Sequence, residues 1–138
     1  MNDKVVLDSC IIAAIFLPET ITAKAIEAAA DNACITVDLA CTEVANAAWK
    51  RAVHAAHDAK TVKASLDDAL AFIRETCDVI PADDIITPAW DLACRHRITV
   101  YDALFIAASV RCEATLVTAD KKLSAAATGT SCRVVLIE

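Results

Sequence analysis

Residues 4–18 read Lys-Val-Val-Leu-Asp-Ser-Cys-Ile-Ile-Ala-Ala-Ile-Phe-Leu-Pro. Lys4 to Leu7 is a short apolar run that ends at an acid, the pattern of a buried strand. Ser9 to Leu17 reads as a helix, stopped by Pro18. A strand this short and this apolar does not alternate between a wet and a dry face, so both faces are expected to be covered. The same grammar recurs down the chain. Cys34–Val37, Asp78–Ile80, Ala114–Thr118 and Arg133–Ile137 read as four more strands. Helices are expected over Ile21–Asp31, over Leu39–Ala59 with Asp38 as N-cap, and over Val62–Thr76. Asp83 and Asp84 are placed to cap a helix through His96. Thr99 opens another to Arg111, and Asp120–Ala127 forms the last. Strands alternating with helices imply a parallel sheet of about five strands, in a single three-layer α/β/α sandwich spanning residues 1–138.

Composition narrows the possibilities. Hydrophobic residues make up 57% of the 138 and charged residues 23%, so the chain can offset its ordering entropy by burial and is not disordered. Thirty alanines and a single glycine, Gly129, favour helices. One glycine cannot build a G-x-G-x-x-G or G-x-x-x-x-G-K phosphate loop. Apolar runs such as 103–110 fall far short of the roughly 20 residues of a membrane span. Asp3 and Asp8 precede the apolar run 10–17 where a signal peptide carries basic residues, so a cytoplasmic protein is expected. Seven cysteines, at 10, 34, 41, 77, 94, 112 and 132, make an odd count without a C-x-x-C pair. They read as reduced, buried small hydrophobes rather than a zinc site or disulfide framework; intracellular bridges are a hyperthermophile habit.

In open parallel sheets, ligands bind beyond the carboxyl ends of the strands. That rule sorts the acids. Asp8 ends strand one, and Glu43 lies in the first turns of the helix after strand two. Asp102 lies in the first turn of the helix opened by Thr99, and Asp120 follows strand four by two residues. Each has a plain structural role on offer. Asp8 and Asp120 fit N-caps, Thr99-x-x-Asp102 resembles a capping box, and Glu43 suits the positive end of its helix. Four carboxylates at one edge would repel one another unless a cation sat among them. An oxygen-only set suits magnesium or manganese, not zinc.

The motifs Val6-Leu7-Asp8-Ser9, Thr42-Glu43-Val44-Ala45-Asn46, Thr99-Val100-Tyr101-Asp102-Ala103 and Leu116-Val117-Thr118-Ala119-Asp120 fall in one order across the whole chain. In that order and context the chain resembles the PIN domain family, in particular the VapC-type toxin ribonucleases of prokaryotic toxin–antitoxin pairs. The resemblance implies strand order 3-2-1-4-5 and a divalent-metal ribonuclease. Asp8, Glu43, Asp102 and Asp120 would then be both metal ligands and catalytic residues, holding one or two Mg²⁺ or Mn²⁺ ions. Ser9, Asn46 and Thr118 are the expected supporting residues. The family start is often Asp-Thr-Ser or Asp-Ala-Ser, whereas here it is Asp8-Ser9-Cys10. The resemblance also implies RNA as substrate, a homodimer, and a cognate antitoxin bound in a hydrophobic groove.

A net charge of −6 is wrong for a simple nucleic-acid binder, but two divalent ions would bring it to −2, concentrated in the cleft. Lys121 and Lys122, beside Asp120, are the leading candidates for the RNA backbone; Lys50 and Arg51 follow, then Arg95 and Arg97. Each pair also reads as a solvated helix face. His54 and His57 lack a third ligand for a metal and are expected on the surface. Trp49 and Trp90 are expected as packing anchors. Other readings remain at this stage. A receiver-type domain wants an acidic pair at strand one and a lysine on the last strand, where this chain has Asp8 alone and Arg133. A dehalogenase-like phosphatase wants Asp-x-Asp, but position 10 is cysteine. A non-catalytic PIN-like interaction module is the third, although all four acids are present.

Overall fold

The computed structural model describes residues 3–138. Its elements run β1 (Lys4–Leu7), α1 (Ser9–Phe16), α2 (Thr22–Ala29), β2 (Ala33–Val37), α3 (Leu39–Val53), α4 (Ala59–Ala71), β3 (Asp78–Ile80), α5 (Ile86–His96), α6 (Val100–Cys112), β4 (Thr115–Thr118), α7 (Lys121–Thr128) and β5 (Val134–Leu136). All strand pairings are parallel, in the order β3-β2-β1-β4-β5. β1 is central, with Val6 opposite Ile35 on one side and Leu116 on the other.

Side chains alternate across the sheet and so feed two cores. Val6, Ile35, Val37 and Leu116 pack with α5, α6 and α7, around Phe105, Ile106 and Leu123. Val5, Leu7 and Val117 face the other way, onto α1, α3 and α4, around Ile11, Ile12, Val44 and Ile73. α6 is the most enclosed helix, buried from Ala103 through Ser109. Even the buried Thr36 is satisfied, its hydroxyl donating to the Leu7 carbonyl at 2.9 Å. No helix among the described residues is long and apolar enough to cross a membrane.

Several expected boundaries shift. The helix expected to run to Ala59 ends at Val53. Ala56 takes a left-handed φ of 55°, and Asp58 restarts the chain by accepting from the Thr61 N–H at 3.2 Å. The next helix therefore begins at Ala59, and its last turn, Phe72–Thr76, widens into a π-helix. Asp38 does not cap α3. Its backbone is already helical, and its carboxylate accepts from the Ala82 N–H at 3.0 Å, tying the end of β2 to the loop after β3. Asp83 and Asp84 lie inside a short 3-10 turn, Ala82–Ile85, and cap nothing. Trp49 and Trp90 are exposed, at 51% and 59%, rather than packed as anchors; the Trp49 ring meets His54 edge-on at 5.0 Å. The seven cysteines are all free thiols; Cys34 and Cys132 are buried, but Cys94 is exposed.

Candidate active site at the carboxyl edge

β1 stops at Leu7, and the Asp8 N–H continues the ladder by donating to the Val117 carbonyl at 3.0 Å. Asp8 stands at the N-cap position of α1, yet its side chain makes no capping bond. It turns instead toward β4. Its Oδ2 accepts from the Thr118 hydroxyl at 2.7 Å and from the Cys10 thiol at 3.1 Å. The same Thr118 oxygen accepts from the Asp120 N–H at 3.0 Å, and the Cys10 sulfur accepts from the Ala119 N–H at 3.5 Å. The end of β4 and the start of α1 are laced together through this one carboxylate oxygen. Cys10 thus fills the place of a hydroxyl with a thiol donor. Burial, and next the Asp8 charge, push that thiol far above its ordinary range, so it keeps its proton.

The Ser9 hydroxyl lies between two acids, 2.6 Å from Glu43 Oε1 and 3.4 Å from Asp8 Oδ1. It has one hydrogen, and the shorter contact takes it. Glu43 projects from the first turns of α3. Asp102 sits in the first turn of α6, where the Thr99 hydroxyl accepts from its N–H at 3.1 Å. The Asp102 side chain lines the cleft, with the Thr99 hydroxyl beside it. Asp120 does cap: its Oδ1 accepts from the N–H groups of Lys122 (2.9 Å) and Leu123 (3.1 Å), which start α7.

All four acids line one cavity of about 560 Å³, together with Ser9, Cys10, Thr42, Asn46, Lys50 and Tyr101. Their electrostatics report the crowding. Burial raises the Asp8 carboxyl above its ordinary value; Thr118, Cys10 and the Ser9 amide pull it partly back, and the Asp120 charge adds to the rise. Glu43 is raised by burial, eased by the Ser9 hydroxyl, and raised further by Asp8 and Asp102. Asp102 is raised by burial, then by Asp120 and Asp8, and eased by the Thr99 hydroxyl and the Lys122 charge. Like charges confined together favour protonation or a counter-ion.

Among the described residues, no three such side chains are already drawn onto a single point as a ready cage for an ion. The acids instead line the floor and walls of a shared space. A hard cation held there would keep part of its water shell and reach some of these carboxylates through water. The donor set is all oxygen, with a protonated thiol held back by Asp8, so magnesium or manganese fits it and zinc does not.

The basic residues divide. Lys50, on α3, lines the cavity. Arg51 does not: its guanidinium donates to the Pro18 and Leu17 carbonyls at 2.8 and 3.2 Å and meets Glu19 at 3.6 Å, fastening α3 to the end of α1. Lys121 faces Glu138 at 3.8 Å, and Lys122 is exposed at the start of α7; neither lines the cavity. Arg95 lines a separate cavity with Asp84 and Asp91, and Arg97 is the left-handed C-cap of α5. Tyr101, Thr42 and Cys10 are cavity residues that spacing alone did not single out. Adjacency to Asp102, Glu43 and Asp8 was the available signal.

The PIN domain family model matches residues 5–129. The chain belongs to the PIN domain family. This PIN domain is 31% identical over 122 residues to ribonuclease VapC3 of Pyrobaculum aerophilum, covering 88% of this chain and 92% of that one. That places it among VapC-type proteins. Solved structures share the fold: PAE2754 of P. aerophilum (TM-score 0.69, 21% identity, 96% of this chain and 83% of that one); VapBC2 of Rickettsia felis, bound to promoter DNA (0.68, 15%, 98% and 99%); and the sarcin–ricin-loop-cleaving toxin VapC20 of Mycobacterium tuberculosis (0.67, 20%, 88% and 94%). With the family shown, the receiver and phosphatase readings fall away.

Proposed function

We propose that this PIN domain is a divalent-metal-dependent endoribonuclease and the toxin of a toxin–antitoxin pair. The observation that carries the reading is the convergence of Asp8, Glu43, Asp102 and Asp120, from four separate segments, on one cavity. A bound Mg²⁺ or Mn²⁺ ion, or a pair of them, would neutralise charge on the scissile phosphate and activate a water. The side chains do the placing. Asp8 has its Oδ2 fully engaged by Thr118 and Cys10, so Oδ1 is the oxygen it offers. Asp120 offers the oxygen not spent on α7, while Glu43 and Asp102 close the walls. Asn46 stands in reach of the same space, and Lys50 supplies a point charge for an RNA phosphate.

Similarity to VapC3 supports an RNA substrate, and similarity to the toxin–antitoxin complex of Klebsiella pneumoniae (TM-score 0.64, 20% identity) supports an antitoxin partner. Exposed apolar side chains, including Ile26, Trp49, Val53 and Trp90, support association, as a homodimer and with that partner. The work would be done in the cytoplasm, where the RNA is.

Digestion of total RNA tests the reading. Cleavage should need Mn²⁺ or Mg²⁺, stop in EDTA, return with manganese, and vanish in Asp8→Asn. Cleavage that persists in chelator, or in Asp8→Asn, would refute it.

A further inference from the structure

Among the described residues, Tyr101 is the most exposed of the large apolar side chains, at 62%, and it lines the carboxylate cavity. Its helix gives it no packing role. α6 is buried from Ala103 to Ser109, and Tyr101 precedes that stretch, on the first turn beside Asp102. An aromatic ring left in water beside a charged cavity forgoes the stabilisation that its burial would give, and keeps its face open to a ligand. α3 contributes Asn46 and Lys50 to the same cavity, together with Glu43, while Asp102 adjoins Tyr101 on α6. The lining thus combines carboxylates, a cation, an amide and one flat π-face.

A phosphodiester drawn to that floor carries a nucleobase on each flanking sugar. The surface in this lining that matches a base is the Tyr101 ring. Base–aromatic stacking tolerates any sequence, because every base has a π-face. It is open only to a base splayed out of a helical stack. A volume of about 560 Å³ suits a short piece of strand.

We propose that Tyr101 is the stacking platform for a nucleobase beside the scissile phosphate, and so a substrate-binding residue that selects an unstacked nucleotide. This rests on the ribonuclease reading above. The ring does the work, not the hydroxyl.

The test uses the full chain with Mn²⁺ and a fluorescein-labelled, unstructured short oligoribonucleotide, alone and annealed into duplex. Tyr101→Ala should raise KM for the single strand by about 5- to 150-fold, the worth of one stack, with most of the loss in KM rather than kcat. The dissociation constant, read by anisotropy in the Asp8→Asn background, should rise by the same factor. Tyr101→Phe and Tyr101→Trp should restore both, and the duplex should bind no better to Tyr101 than to Ala at this position. Calorimetric Mn²⁺ affinity should stay within about 2-fold in Tyr101→Ala, since the ring donates nothing to a cation. Unchanged KM and binding in Tyr101→Ala would overturn the proposal, as would a Phe variant as weak as Ala. A wild type that binds the oligonucleotide through Tyr101 but cleaves nothing would support the stack and sink the nuclease. A wild type that binds no RNA would sink both.

Discussion

The floor and the rim of the cavity are built differently. On the floor, Asp8 is 6% exposed, and its Oδ2 is gripped by donors from the end of β4 and the start of α1. On the rim, Lys50 on α3 and the exposed Tyr101 on α6 line the same space. Folding itself fixes the floor, because the Thr118 and Cys10 bonds are part of how β1 meets β4. The rim is free to respond to whatever enters. The contrast predicts that removing a group that holds Asp8 in place disturbs metal and stability together, whereas removing Lys50 disturbs substrate alone.

The sharpest attack on that contrast is Asp8→Asn. Beyond the loss of cleavage, it removes a buried charge crowded by Asp120. The metal-free protein should therefore melt no lower than wild type, and higher at pH 7. A large fall in Tm would mean that Asp8 is chiefly a structural group. Next is Thr118→Val, which strips a donor from Asp8 and an acceptor from the Asp120 N–H. Mn²⁺ affinity by calorimetry should drop about 10- to 100-fold, with a stability loss of about 1–3 kcal/mol. If neither moves, the floor is not held as described.

The rim predicts smaller effects. Lys50→Ala should weaken RNA binding and flatten the plot of log affinity against log salt by about 0.7, one phosphate contact on a single strand. Lys121→Ala should leave the slope alone, because that ammonium faces Glu138. Equal slopes for the two variants would erase the distinction. The gentlest test is pH. Burial and mutual repulsion raise Asp8, Glu43 and Asp102 in the folded protein above their ordinary values of 3.8, 4.5 and 3.8. The folded state then binds more protons than the unfolded chain. Their contribution to stability is full below those ordinary values and is lost as pH rises through the raised ones. Metal-free Tm should fall across that window, and added Mn²⁺ should flatten the decline. A Tm that rises through the window and ignores Mn²⁺ would contradict the crowding.

The alternation of short apolar strands with helices was legible in the sequence, and the order of the strands came with the family resemblance. Asp8 and Asp120 were legible because each closely follows an apolar strand, and Glu43 because its helix follows β2; Asp102 follows a helix, and only its place behind Thr99 marked it. Thr99 and Asp120 also cap as their positions suggested. The break between α3 and α4 was not legible. Residues 54–58 contain no glycine or proline, and the turn rests on Ala56 accepting a left-handed φ and on Asp58 finding the Thr61 N–H. Arg51 looked like half of a basic pair with Lys50, but neighbours on a helix point about 100° apart. One turned to the cavity and the other to the carbonyls ending α1. Trp49 and Trp90 were misread for a related reason: composition says that an aromatic should be buried, but only the packed fold says which helix face is left outside.

Asp120 leads a double life, one oxygen opening α7 and the other facing the cavity. Removing that acid costs about 1 kcal/mol of helix start as well as chemistry. A drift toward inactivity, or an engineer seeking an inert but sturdy variant for capturing the proposed antitoxin, is steered toward position 8 or 102 instead. The short chain thereby protects one of the four cavity carboxylates with its own architecture.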